Sequence, residues 1–377
     1  METEKFRQEL DIAVRVVHLA CSLCRKVQQS LVSSRYDQST SKDDDSPVTI
    51  ADWSVQAMVS WMLSEHFGSQ NLSIMAEEDT KTLLKPDSSD LLTTVVKTVN
   101  ECLDEAPKYG LKSPLKALDV PQVLHAISRC NSNAGTVGRH WILDPVDGTL
   151  GFLRLDQYAV ALALIDNGQV VIGVLGCPNY SMRKDGMKLA MSNNSLLVNN
   201  PSENNKGCVM FTARGSGKAW MQPMIGGDEE FEWLKRTEQI RVSSINDPAQ
   251  ATFCEPVERA NSNHSFAAEL AHSVGLRKQP LRVYSMVKYA AIAKGDAEIF
   301  MKFARVGYKE KIWDHAAGVL LVHEAGGVVT DAGGRQLDFS RGVYLEGLDR
   351  GIIACSGADL HNKIVNAIFA SWDSSSL

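Results

Sequence analysis

Apolar residues recur at alternating steps of four and three near the start of the chain. Phe6, Leu10, Ala13, Val17, Ala20, Cys24, Val27 and Leu31 draw one stripe, which predicts an amphipathic helix over residues 4–31. Residues 33–47 are polar and include three consecutive aspartates at 43–45, which predicts a mobile loop with a solvated charge run. A second helix is predicted from about Ile50 to His66, with Val55, Met58, Val59, Met62 and Leu63 on its apolar face. Leu72 to Ala76 then reads as a short strand running into Glu77-Glu78-Asp79, and residues 84–130 as mixed and partly helical. Trp141-Ile142-Leu143 reads as a buried strand ending at Asp144. Tyr158 to Ile165 and Val170 to Leu175 are β-rich runs joined by Asp166-Asn167-Gly168, a turn with hairpin chemistry. Further on, Ile312 to Glu324 reads as a helix stopped by Gly326-Gly327, with Val328 to Thr330 as the strand beyond it.

This order of elements is α/β (α+β), with a hairpin-rich sheet and layers of helices and sheets in alternation. At 377 residues the chain is too long for one ordinary core and fits two packed subdomains. Residues 180–206, rich in Asn, Ser and Lys, mark the expected boundary, giving subdomains of residues 1–180 and 181–377. No internal repeat is visible. The balance of 45 acidic against 39 basic side chains leaves a net charge of −6, which disfavours a nucleic-acid polymer as partner. A small anionic substrate remains compatible if metal ions or a few Lys and Arg bridge to it. No apolar run reaches the length of a membrane span, and Met1-Glu2-Thr3-Glu4-Lys5 is unlike a secretory or transit signal. A cytoplasmic or nuclear monomer is expected. The eight scattered cysteines suit a reducing compartment, and Cys21 and Cys24 read as two thiols on one helix rather than as a zinc or redox pair.

The strongest local chemistry is Trp141-Ile142-Leu143-Asp144-Pro145-Val146-Asp147-Gly148-Thr149. Two carboxylates three positions apart follow a buried strand. Pro145 stiffens the backbone between them, and Gly148 permits a tight turn. Asp144, Asp147 and the Val146 carbonyl can thereby be aimed at one region, where a hard cation such as magnesium would find oxygen ligands. Taken alone, the segment also fits an ordinary Asp-Pro, Asp-Gly turn. Three other acidic sites raise its weight. Glu77 and Glu78 follow a strand, on the side where α/β proteins bind ligands. Asp314 stands at a predicted helix start. Asp52, three residues after Thr49, fits a capping box as well as a site. Cations held by several carboxylates can clamp a phosphate, lower the pKa of a water and neutralise the leaving oxygen. Phosphate monoesters hydrolyse so slowly unaided that such neutralisation must carry the catalysis.

Asp144-Pro145-Val146-Asp147-Gly148-Thr149 resembles the first signature of the inositol monophosphatase superfamily. Trp313-Asp314-His315-Ala316-Ala317-Gly318, followed by Glu324-Ala325-Gly326-Gly327, resembles the second. Gly151-Phe152-Leu153-Arg154, Asp156-Gln157-Tyr158-Ala159-Val160 and Tyr308-Lys309-Glu310-Lys311-Ile312-Trp313-Asp314 are similar to the 3'(2'),5'-bisphosphate nucleotidase branch, especially its plant members. The resemblance implies a layered αβαβα sandwich and a magnesium phosphatase inhibited by lithium. By matching position it implies Glu77, Asp144, Asp147 and Asp314 as metal ligands, with the Val146 carbonyl. Asp52 and Thr149 would orient and deprotonate the attacking water. Gly148, Thr149, Asn261, His264, Ser285, Lys288, Lys302 and Asp314 would bind substrate, with the nucleotide-binding residues in the second subdomain. Without the resemblance, Lys288 reads as an ordinary surface lysine.

Four positions depart from the family pattern. Leu150 stands for a lysine and Leu155 for a glycine; Asn261 stands for a histidine, with His264 close by, and Lys302 for an arginine. Lysine keeps the charge but loses the bidentate fork and the planar face. The implied reaction is hydrolysis of adenosine 3',5'-bisphosphate to AMP and phosphate, with its sulfated analogue as a further candidate substrate. An inositol polyphosphate 1-phosphatase and a catalytically weakened nucleotide sensor are the alternatives. Asp52, Glu77, Asp144, Asp147, Thr149 and Asp314 argue against the sensor, since a pure binder needs no water-activating pair.

Overall fold

A computed structural model of the chain describes residues 5–33, 39–41, 47–133, 135–182, 206–226, 229–233, 235–258, 262–305, 307–347 and 351–374. The first helix, Arg7–Ser33, buries the stripe that predicts it: Phe6, Ala13, Val17, Ala20, Cys24 and Val27 are all inside. In the polar segment that follows, β1 (Ser39–Ser41) pairs antiparallel with β2 (Pro47–Thr49), so part of it is ordered ladder. The aspartates at 43–45 lie outside the described residues. Helix Ile50–Phe67 is buried well beyond its predicted face, with Ser54, Gln56 and Ser60 enclosed as well. It sits among helices Arg7–Ser33, Ser89–Leu103 and Val120–Ser128 with β-structure beneath, which leaves little of it for solvent.

Seven strands form the larger sheet: β3 (Ile74–Ala76), β4 (Arg139–Asp147), β5 (Ala159–Asp166), β6 (Gln169–Ser181), β7 (Lys206–Ala213), β8 (Ala219–Pro223) and β9 (Glu238–Ile240). They lie side by side in chain order, with β3 parallel to β4 and every other neighbour antiparallel. The sheet takes strands from both sides of residues 183–205, which lie outside the described residues. A second sheet has five strands: β10 (Phe253–Pro256), β11 (Leu281–Val283), β12 (Ile299–Lys302), β13 (Val328–Asp331) and β14 (Ile352–Cys355). Their order is β11-β10-β12-β14-β13, and β10 runs parallel to both of its neighbours.

Strand alternation divides the apolar residues among layers. On β5, Val160, Leu162 and Leu164 face the N-terminal helices, whereas Ala159, Ala161, Ala163 and Ile165 face a middle layer made by helices Val287–Lys294 and Ala316–Glu324. On β12, Phe300 faces that middle layer, while Ile299 and Met301 face helices His264–Ser273 and Ala358–Ser374. The result is helix, sheet, helix, sheet, helix, the αβαβα sandwich that the resemblance implies. Close approach holds the middle together: a Cβ on Gly173 of β6 would stand 2.7 Å from the Ala317 carbonyl oxygen. Helix Ala316–Glu324 is buried all round except at its C-terminal end, so it shows an apolar run rather than a stripe.

Two predicted boundaries are corrected. β4 does not stop at Asp144; it continues to Asp147 with a register irregularity between the two aspartates. Pro145 falls within that irregularity, where its missing N–H costs no ladder bond. The predicted helix from Ile312 breaks into a 3₁₀ turn, Ile312–Asp314, and the α-helix beyond His315. Cys21 and Cys24 are free and buried, with thiols pushed above their ordinary value first by burial. Among the described residues no helix is long and apolar enough to cross a membrane.

His18 is buried in the first helical layer, with Nε2 3.2 Å from Gln222 Oε1 and its ring against Phe231. Burial lowers its pKa from 6.5 to about 4. The unfolded chain therefore binds this proton at a higher pH than the folded chain does. Stability is full above pH 6.5 and is lost as pH falls towards 4, by about 3 kcal/mol from this one group. Urea unfolding of His18→Leu across that window should show a flatter stability curve than the wild type; parallel curves would contradict it.

Candidate active site

The parallel pair β3 and β4 delivers acids from its C-terminal ends, the side of an α/β sheet where ligands bind. Glu77 follows β3, and Asp144 and Asp147 lie at the end of β4. The 3₁₀ turn brings Asp314 in from the middle layer. One carboxylate oxygen from each of Asp144, Asp147 and Asp314 lies within 4.8 Å of the others. Asp144 is buried, and the other two are half-buried. Desolvation, followed by the charge of Asp314, raises the pKa of Asp147 well above the usual carboxylate range. Asp314 is raised in the same way, first by desolvation, with Glu77 adding to it and His315 opposing it. A cluster made only of carboxylate oxygens, each disfavouring the others' charge, fits a hard cation.

Strand position alone does not separate Glu77 from Glu78; the resemblance chooses Glu77. The turn that carries both is held by Gln56. Its side-chain amide donates to the Glu78 carbonyl at 2.7 Å, and its carbonyl accepts the Glu78 N–H at 2.9 Å. This clamp fixes the turn after β3, and Glu77 is the residue that acts electrostatically on Asp314.

Asp52 caps its helix with one oxygen and meets Thr149 with the other. Its Oδ2 accepts from the Thr49 N–H at 2.8 Å and from the Thr49 hydroxyl at 2.7 Å, completing a capping box. Its Oδ1 faces the Thr149 hydroxyl at 3.4 Å, and that hydroxyl also lies 3.2 Å from the Val146 carbonyl. With one oxygen immobilised by the helix start, the other is held where Thr149 can pass a proton to it.

Gly148 and Ser285 bring the two halves of the chain together. Gly148 has φ +85°, and a Cβ there would sit 2.9 Å from the Ser285 Cβ. Ser285 itself has φ 64°. The Met286 N–H donates to the Asp147 carboxylate. Lys288 is buried rather than on the surface; its ammonium donates to the Val283 carbonyl at 3.0 Å and to that of Ser285. Desolvation lowers the Lys288 pKa and the nearby Asp147 opposes this, so Lys288 both braces the strained Ser285 turn and faces the carboxylates.

Lys302 is buried and paired at 2.6 Å with Glu310, which also lies 3.0 Å from His315 Nε2; His315 Nδ1 meets the Tyr289 hydroxyl at 2.8 Å. Sequence reasoning misses Glu310, His315 and Tyr289, although two of them stand in a quoted motif. The dense alternation of basic and acidic residues from Lys309 to His315, ahead of the apolar helix Ala316–Glu324, was the available signal. Glu310 is lowered to about 2: burial alone would raise it, but Lys302 and His315 outweigh that. His264 opens helix His264–Ser273, with Nδ1 3.9 Å from Glu255. Asn261 lies outside the described residues, while Glu258 acts electrostatically on both Asp147 and Lys288.

A carboxylate cluster with an adjoining Asp–hydroxyl pair, at strand ends of a five-layer sandwich, defines a phosphatase of the sugar and nucleotide phosphate type. The chain belongs to the inositol monophosphatase family, whose model matches residues 44–372. It is 63% identical over 382 residues to 3',5'-bisphosphate nucleotidase AHL of Arabidopsis thaliana, with 100% of each chain covered. It is 41% identical over 352 residues to a 3'(2'),5'-bisphosphate nucleotidase of Oryza sativa, covering 93% of this chain and 90% of that one. Among solved structures, Thermotoga maritima IMPase TM1415 matches with a TM-score of 0.57 at 18% identity, covering 97% of this chain and 99% of that one.

Of the departures from the family pattern, Leu155 has a backbone consequence. It adopts φ 59°, the conformation its usual glycine would take without strain, and the residue is 40% exposed. Leu155→Gly should raise stability by about 0.5–1 kcal/mol. Chemical denaturation would check this, and a loss of stability would show that leucine packing outweighs the strain.

Proposed function

We propose that the protein hydrolyses the 3'-phosphate of adenosine 3',5'-bisphosphate, giving AMP and phosphate, with magnesium as its metal. The observation that carries this reading is the convergence of Asp144, Asp147 and Asp314 beside the Asp52–Thr149 pair. End-to-end similarity to a 3',5'-bisphosphate nucleotidase supports the choice of substrate.

Glu77, Asp144, Asp147, Asp314 and the Val146 carbonyl would hold the cation. When bound, it supplies positive charge that clamps the phosphoryl group and makes water more acidic. Thr149 accepts the proton of the attacking water as its own hydroxyl proton passes to Asp52 Oδ1. The new P–O bond forms as the bond from phosphorus to the ribose 3'-oxygen breaks, and that oxygen leaves as a hydroxyl after taking a proton from solvent water, while the proton on Asp52 returns to solvent. Gly148 lets its turn close on Ser285, and both residues are assigned to the phosphoryl side. Lys288 contributes positive charge beneath it. Asn261, His264 and Lys302 are assigned to the nucleotide side, with Lys302 held by Glu310 rather than free to roam.

Asp147→Asn separates catalysis from folding. Phosphate release with magnesium should fall by more than about 100-fold. The metal-free variant should melt higher than the metal-free wild type, because a neutral amide relieves the like-charge cluster. Both readings come from a phosphate-release assay and a thermal melt; near-normal turnover would remove Asp147 from the site. A panel of bisphosphonucleotides and inositol phosphates, with and without lithium, tests the substrate. Faster turnover of an inositol polyphosphate than of adenosine 3',5'-bisphosphate would overturn the assignment.

A further inference from the structure

The segment that supplies Asp314 also supplies an ammonium. Lys311 Nζ lies 3.5 Å from Glu77 Oε1 and 5.5 Å from the Trp313 ring centroid, with its side chain 28% exposed. Its backbone is fixed: Lys311 forms an isolated antiparallel bridge with Tyr344, and the Ile312 N–H donates to the Val343 carbonyl at 2.9 Å. Only the side chain is left to move. Among the described residues, Lys302 is committed to Glu310 and Lys288 to two backbone carbonyls. Lys311 differs because its carboxylate partner is one that a divalent cation would take.

We propose that Lys311 is a positioning residue, a built-in counter-ion that holds Glu77 and competes with the divalent cation for it. The inference rests on reading Glu77 as a metal ligand. When the cation binds Glu77, the ammonium must give up that carboxylate, because two positive charges cannot share it closely without cost. An anionic phosphate at the mouth of the site then offers the displaced ammonium a new partner. Lys311 thus weakens cation binding to the substrate-free enzyme and lets phosphate restore it. The coupling is reciprocal: the cation tightens phosphate binding by the same factor.

The test is calorimetric titration of magnesium into the full-length protein, with and without inorganic phosphate, for the wild type, Lys311→Gln, Lys311→Arg and Glu77→Gln. Lys311→Gln should bind magnesium about fivefold more tightly without phosphate, and phosphate should improve its affinity less than in the wild type. Lys311→Arg, which keeps the charge, should behave like the wild type; this separates charge from any effect on folding. Glu77→Gln should bind magnesium more weakly. Unchanged or weaker binding in Lys311→Gln, with Glu77→Gln weakened as expected, would overturn the counter-ion role alone. Unchanged binding in Glu77→Gln would overturn the reading of Glu77 as a ligand, and this inference with it.

Discussion

Like charges must be held together in a partly dry place, and much of the structure around the site answers that constraint. Asp144, Asp147 and Asp314 repel one another at separations set by their backbones, so none can be left to drift. Several of the acids near the site are fixed by devices of their own. Asp147 accepts the Met286 N–H, and Asp52 is fastened by the capping box at the start of helix Ile50–Phe67. The turn that aims Glu77 is clamped by Gln56. Fixing these groups in advance is what lets a bound cation and a phosphoryl group meet a ready arrangement rather than assemble one.

The five layers make such rigidity affordable. The site lies where the strand ends of the larger sheet meet the middle helical layer and the turns of the smaller sheet. Gly173 lets helix Ala316–Glu324 ride directly on β6, and the alanines of β5 keep that face shallow. Gly148 lets the Asp147 turn touch Ser285. A side chain at either glycine would push the two sheets apart, and with them the carboxylates they carry.

The buried group around Lys302 is built differently. Lys302, Glu310, His315 and Tyr289 form a closed buried chain of hydrogen bonds, in which one carboxylate serves two partners. Such a network is costly to break at any single member, because each loss leaves a buried polar group unsatisfied. Lysine in place of the family's arginine at 302 keeps the ion pair with Glu310 and gives up the planar surface that could stack on a base. Along the whole chain the identity to a 3',5'-bisphosphate nucleotidase is 63%.

Local pattern was enough to reveal the N-terminal helix, the β5–β6 hairpin and the acidic segment from Asp144 to Thr149, because periodicity and turn chemistry act between near neighbours. Resemblance of two signatures then supplied the fold and the candidate ligands. Other features depended on contacts between distant parts of the chain. That Lys288 is buried, and that Asp52 caps a helix with one oxygen and meets Thr149 with the other, were decided by tertiary structure. So were the irregular register that absorbs Pro145 and the break at His315. A sequence records which residues carry charge; how many of those charges must share one pocket, and what neutralises them there, is set only when separate layers close on one another.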